Sequence, residues 1–358
     1  MVRRATALSY LAGLVLVVIL VAALGSDGVD SPGTAAGTVY WGAYVGGGQY
    51  GLEDAPWDMT SADRFEARAG KRMSLLEWGQ RWYECSTSCG LRGFRSDLMS
   101  KARARGYLPV LSWGSYAAGE GTNQPRYRLS EIVGGRYDAF IRRWATGAKR
   151  WGHPFFLRFD WEMNTNSVSY SEHSNGNRRG EFVRMWRHVH RIFTRVGAEN
   201  VTWVWCPNVE YSASVKPLAS LYPGDVYVDW TCLDGYNWGT NPARAGAWMS
   251  FSTVFEETYR LITTEIAPSK PVMIGETAST EIGGSKAHWI TDALGTQVLD
   301  RFPRAKAIVW FNKYWNRMDW PIESSDAAES AFRASIASPA YADNRFRHAH
   351  DSPIRALR

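Results

Sequence analysis

Eight short runs rich in β-branched and aromatic residues recur along the chain: Val39–Val45, Met73–Trp78, Leu108–Trp113, Phe155–Trp161, Val201–Cys206, Val228–Tyr236, Pro271–Glu276 and Ala307–Phe311. Their length and composition read as strands. Between them lie stretches with helical periodicity, such as Arg179–Val196, Ser252–Ile266 and Lys286–Arg301, so every crossover is long enough for a parallel connection. Eight such units in roughly 300 residues predict an α/β fold, a (β/α)8 TIM barrel in one catalytic domain over residues 38–340. A doubly wound sheet would instead show a phosphate-binding turn after its first strand. Gly46, Gly48 and Gly51 spell G-x-G-x-x-G there, but Glu53, Asp54 and Pro56 follow where a helix should open, so the match reads as a loop.

Barrels carry their chemistry at the C-terminal ends of the strands. The fourth run continues PFFLRFDWEMN; a period of two puts Phe156, Arg158, Asp160 and Glu162 on one face and Leu157, Phe159 and Trp161 on the other. An arginine and two acids cannot cheaply face the outer helices, so that face points into the barrel. In the seventh run, PVMIGETAS, the same period places Val272, Ile274 and Glu276 together, with Glu276 at the mouth. Either glutamate alone is readily a structural ion-pair member. Together, on strands facing each other across the mouth, they are the minimum equipment for cleaving a glycosidic bond. Such a site needs flat walls for sugar rings, and aromatics end many of the runs: Trp41, Trp78, Trp113, Tyr236 with Trp238, and Trp310 with Tyr314. With 18 Trp and 17 Tyr in 358 residues, the chain holds more flat amphipathic surface than a core needs.

Other chemistries are poorly supplied. The seven histidines are scattered, and His188 and His190 point different ways on a helix, so no metal site is expected. No G-x-S-x-G elbow or G-x-x-x-x-G-K-[ST] loop occurs. The net charge of +6 is spread without a block of five like charges, which argues against nucleic acid. Of four cysteines, Cys85 and Cys89 read as a small loop staple rather than half a zinc site, and Cys206 and Cys232 as two small buried hydrophobes.

At the start, Arg3 and Arg4 precede an uncharged run over residues 8–24 and then Gly25 and Ser26, the pattern of an export signal. Residues 1–25 are therefore expected to be a cleaved leader or a membrane tether, 26–37 a linker and 341–358 a basic tail. The expected location is secreted or anchored on the outer face of the cytoplasmic membrane.

Residues from about Val39 to Glu323 resemble glycoside hydrolase family 26, typified by β-mannanases. Arg158-x-x-x-Glu162-Met163-Asn164 is similar to the family's R-x-x-H-E-M-N stretch, Gly275-Glu276 to its nucleophile-bearing G-E, and Asp234-Gly235-Tyr236-Asn237-Trp238 to its strand-six segment. The resemblance implies Glu162 as acid/base, Glu276 as nucleophile and Tyr236 as the nucleophile's partner. It also implies Arg158, Trp161, Trp113, Asn164, Trp238 and Trp310 around the substrate, Trp310 as an aromatic floor, and no cofactor. Two positions depart from the pattern: Trp161 stands where mannanases carry His, and Trp113-Gly114 where they carry Trp-His. These departures touch the sugar subsite next to the cut, so a β-glucan or another β-linked polymer is as well supported as mannan. The expectation is a monomeric retaining endo-glycosidase; the rival is a polysaccharide-binding barrel that does not cut.

Overall fold

Strand β1 (Tyr40–Val45) pairs in parallel with both β2 (Leu75–Cys85) and β9 (Ala305–Asn312), and this double pairing closes the sheet. The computed structural model describes residues 38–85, 88–210, 218–242 and 246–358; residues 1–37, with the expected leader and linker, lie outside them. Between those neighbours run β4 (Leu108–Ala117), β5 (Phe155–Phe159), β6 (Val201–Trp205), β7 (Trp230–Asn237) and β8 (Val272–Ser279), all in parallel. All eight sequence-predicted strands are present, so the fold is a (β/α)8 barrel. The sequence reading missed β3 (Cys89–Leu91), which pairs antiparallel with the overhang of β2, and Cys85 and Cys89 join across that hairpin.

Local chemistry accounts for the helices. Asp58 and Ser250 cap Met59–Ala69 and Phe251–Leu261 by accepting from Thr60 N and Thr253 N, and Gly70 and Gly197 end helices in the left-handed conformation. The helix Glu181–Val196 buries Phe182, Met185, Trp186, Val189, Ile192 and Phe193, the 3–4 spacing of one apolar face.

Two apolar layers result. Tyr40, Leu75, Val110, Phe156, Val204, Trp230, Met273 and Val309 fill the barrel, while a larger layer lies between strands and helices. The 341–358 stretch, expected as a tail, packs across the N-terminal end of the barrel. Ile354 is buried there, its carbonyl accepts from Trp230 Nε1 at 2.7 Å, and the Arg355 carbonyl accepts from Tyr40 at 3.0 Å. Among the described residues, no helix is long and apolar enough to cross a membrane.

Cys206 and Cys232 are buried as expected, but they are bonded to each other rather than free. One sits at the end of β6 and the other on neighbouring β7, with Cα atoms 4.2 Å apart, close enough for a bridge that strand-by-strand reading does not reveal.

Candidate active site

Arg158 is fully buried inside the barrel and organises its mouth. Its Nη1 donates to Ser112 Oγ at 3.0 Å, to Glu276 Oε1 at 3.1 Å and to Glu77 Oε1, and Nη2 donates to Asp234 Oδ2 at 2.5 Å. Ser112 in turn donates to Glu77 at 2.7 Å. One guanidinium faces three carboxylates, so full ionisation would leave excess negative charge in a dry site. Burial pushes Glu77 up to about 7, with Arg158 opposing and Glu276 adding to the rise. Asp234 is likewise raised well above the usual carboxylate range, chiefly by burial and further by its acidic neighbours. Sequence reasoning missed both partners, although Glu77 was visible as an acid in the middle of an apolar strand.

Glu276 reaches this cluster by a route other than the expected one. Met273 belongs to the inner layer and Val272 and Ile274 to the outer, so simple alternation would turn Glu276 outward. The pairing of β7 with β8 jumps from Leu233↔Ile274 to Asp234↔Glu276, leaving Gly275 as an extra residue. This bulge turns Glu276 inward. Arg158 then holds one carboxylate oxygen, and Tyr236 donates to the other at 2.5 Å.

Glu162 is also set by irregular backbone. β5 ends at Phe159, and both Asp160 (φ 43°) and Glu162 (φ 55°) are left-handed, a strained conformation for non-glycine residues that tends to occur at functional sites. The buried Asp160 accepts from Ser115 N at 2.6 Å and Ser115 Oγ at 2.7 Å, tying the turn to β4. Trp161 therefore does not follow Leu157 and Phe159 outward; its ring lies 5.8 Å from the Arg158 guanidinium, beside Tyr116 and Tyr170. Asn208 Nδ2 donates to Glu162 Oε1 at 2.5 Å. Asn164, expected on the substrate, instead bonds the Asn208 backbone in both directions, at 2.8 and 2.9 Å. It thereby fixes the residue that holds Glu162, and Asn208 itself was not foreseen.

The predicted aromatic walls divide. Trp238 is half-buried against Tyr236 and Trp320 at the mouth. Trp113 and Trp310 do not line it. Trp113 is fully buried against Trp144, Phe140 and Phe193, and Trp310 against Phe332 and Trp289. Each lies one residue from an inward position, and a period of two sends that neighbour to the opposite face. Ser112 and Phe311 are the inward residues: Ser112 meets Glu77, and Phe311 meets Tyr44 and Tyr236.

Beside Tyr116, a groove of about 200 Å³ runs between the loops after β4 and β5, lined by Gly119, Thr122, Ser167 and Val168. A larger cavity of about 470 Å³ lies at the N-terminal end of the barrel, among Asp229, Lys270, Arg304, Lys306 and Arg355, away from these carboxylates. Among the described residues, one cluster of metal-type donors exists, Cys206, Cys232 and Asp234, and both of its sulfurs are held in the disulfide.

Over 214 residues, 59% of this chain, the sequence is 37% identical to endoglucanase H of Acetivibrio thermocellus, and the match spans only 23% of that longer protein. The fold is similar to that of a Bacillus subtilis mannanase (TM-score 0.60, 18% identity, 84% of this chain and 86% of the other). It is also similar to a β-mannanase from Bacteroides ovatus (TM-score 0.57, 16% identity, 85% and 89%). The profile of glycosyl hydrolase family 26 matches residues 108–290, more than half of the chain and inclusive of Arg158, Glu162, Asp234, Tyr236 and Glu276, and the chain belongs to that family.

Proposed function

We propose that the protein is a retaining, endo-acting glycoside hydrolase of β-linked polysaccharides, with Glu276 as nucleophile and Glu162 as acid and then base. One observation carries the reading: both oxygens of Glu276 are held, by Arg158 and Tyr236, at the mouth where Asn208 holds Glu162. Burial chiefly raises the pKa values of Asp234 and Tyr236, and both glutamates lie near enough to add to the rise.

The chemistry is set by these positions. A Glu276 oxygen attacks the anomeric carbon while Glu162 gives its proton to the departing glycosidic oxygen, leaving a glycosyl ester on Glu276. Glu162, now a carboxylate, takes a proton from water as that water attacks the same carbon and releases Glu276. Trp161 and Trp238 offer flat faces beside the cut. The match to a protein named endoglucanase supports a β-glucan as substrate, and Trp161 in place of the usual histidine departs from the mannanase pattern. Residues 1–25 support export, with the enzyme either released or tethered through residues 8–24.

The test is reducing-sugar release across a panel of β-glucans, glucomannan and mannan, with the product anomer followed by NMR. Glu276→Ala should abolish turnover. Glu162→Ala should cost about 10² to 10⁴ on natural polymers and much less for glycosylation by aryl glycosides whose leaving group departs unprotonated. Turnover surviving Glu276→Ala, or an inverted first product, would overturn the mechanism. Tight polymer binding without cleavage anywhere in the panel would favour the non-catalytic barrel.

A further inference from the structure

Trp315 is the most exposed tryptophan of the chain, at 52%, and its neighbour Tyr314 is 51% exposed. Most other tryptophans are fully buried, among them Trp41, Trp78, Trp82, Trp144 and Trp186, so this pair is out of character with the rest of the protein. The backbone beneath them is built with care. Asn316 (φ 50°) and Arg317 (φ 62°) are consecutive non-glycine residues in the left-handed region, and Met318 N donates to Trp315 O at 2.9 Å to close the tight turn. Such backbone persists only where its surroundings enforce it.

Those surroundings are visible immediately after the tip. Met318 is buried, and Asp319 accepts from Glu281 N at 3.0 Å and from Thr280 Oγ1. The buried Lys286 ammonium donates to the carbonyls of Asp319, Trp320 and Pro321 at 2.5, 3.1 and 2.7 Å. A firmly anchored stem thus lifts two large rings into water, where they gain nothing from burial.

The rings are also connected to the site. From Tyr236, which holds Glu276, aromatic contacts run to Phe311 at 5.9 Å and on to Tyr44 at 5.1 Å. The Lys313 ammonium then lies 5.5 Å from the Tyr44 ring and 5.9 Å from the Trp315 ring. Lys313 is itself paired with Asp54 at 2.6 Å, so the cation between the two rings is already neutralised. Tyr236 is buried and Phe311 and Tyr44 are half-buried, so the open faces are those of Tyr314 and Trp315, and beside a satisfied charge they fit a neutral chain of pyranose rings better than an acidic polymer.

We propose that Trp315, with Tyr314 beside it, is a stacking platform that holds a neutral β-linked polysaccharide on the β1/β9 side of the cleft, at a distance from the bond that is cut. This rests on the glycoside hydrolase reading for its substrate class, but it can be tested apart from it. The probes are soluble mixed-linkage β-glucan and glucomannan, used in affinity electrophoresis and in kinetics, with a short aryl β-glycoside as a substrate that cannot span to the tip.

Trp315→Ala should melt like the wild type, lose retardation in the polymer gel, and show KM on polymer raised about tenfold, the scale of one stacked aromatic. Hydrolysis of the aryl glycoside should be unchanged, and Trp315→Phe should restore part of the polymer affinity. If the wild type is retarded but cleaves nothing, the platform stands and the hydrolase reading falls. If the wild type cleaves polymer and Trp315→Ala binds and cleaves it equally well, the platform falls and the hydrolase stands. A wild type neither retarded by nor active on either polymer overturns the platform, as does equal loss on polymer and aryl glycoside.

Discussion

Gly275 has no room for a side chain beside Cys232: a Cβ there would overlap the Cys232 sulfur and stand 2.7 Å from Asp234 Oδ1. The residue that forms the bulge is thus pinned by the Cys206–Cys232 bridge and by the carboxylate of the Arg158 cluster. Gly275→Ala must push the strand outward, at about 1–3 kcal/mol for overpacking. Because the bulge is what turns Glu276 toward Arg158 and Tyr236, kcat should fall at least about tenfold even in protein that remains folded. Thermal melts and kcat on one polymer measure both, and a variant with wild-type values would show that the bulge does not need glycine.

Glu77 makes stability depend on pH in a specific direction. Its folded pKa, raised by burial to about 7 from the ordinary 4.5, exceeds its unfolded value. Its protonated form is therefore favoured by folding, and its contribution is complete below about 4.5 and lost as pH rises through about 7. Glu77→Gln keeps the shape of the neutral acid and cannot ionise. Relative to wild type, the variant should gain on the order of 1–3 kcal/mol between pH 5 and pH 8. Urea midpoints across that range read it, and a constant difference between the two proteins would place the ionisation elsewhere.

Asn208 holds Glu162 through its side-chain amide, so its loss should be visible in the proton-transfer step. Asn208→Ala removes one donor at Glu162 Oε1, which favours the ionised carboxylate less and holds the side chain less firmly. The alkaline limb of the kcat/KM profile should move to higher pH. The rate on natural polymers should fall about 10- to 100-fold, with aryl glycosides of good leaving groups affected far less. An equal loss on both substrates, with no shift in the profile, would mean that Asn208 only supports the loop.

Short runs rich in β-branched and aromatic residues, separated by long helical stretches, marked every barrel strand, because a parallel strand buried on both faces is apolar throughout and too short for a helix. Period-two reading could not follow the chain where that period breaks. At Gly275 one extra residue inverts the face of Glu276, and after Phe159 left-handed Asp160 and Glu162 redirect Trp161 inward. Asp234 and Asn208 are recognisable as partners only once Arg158 and Glu162 have been placed beside them, since each lies far from its partner in sequence, whereas Glu77 shows in the sequence as an acid within an apolar strand but without its partner. The resemblance to family 26 supplied the pairing of Tyr236 with Glu276 that alternation alone could not. The same motif logic misplaced Trp113 and Trp310 by a single residue, and strand order was needed to show Cys206 next to Cys232.

Trp113 gives the cleanest separation between a sugar-binding residue and a packing residue. Its ring is fully buried and stacks at 4.4 Å on Trp144, with Phe140, Phe159 and Phe193 around it, all on the helix side of β4. Truncation to Ala opens a cavity in that layer, and the cost expected for a buried aromatic is about 3–5 kcal/mol. The neighbouring Ser112 faces the other way, toward Glu77 and Arg158, so the carboxylate cluster should survive in molecules that remain folded. Trp113→Ala is therefore expected to lower the melting temperature by several degrees while leaving KM within about twofold on both polymer and short substrates, measured well below the new transition. Trp310→Ala should behave alike, since it too is buried on the outer face against Phe332 and Trp289. A KM raised tenfold with little change in melting temperature would return either tryptophan to the cleft and overturn its placement among the helices.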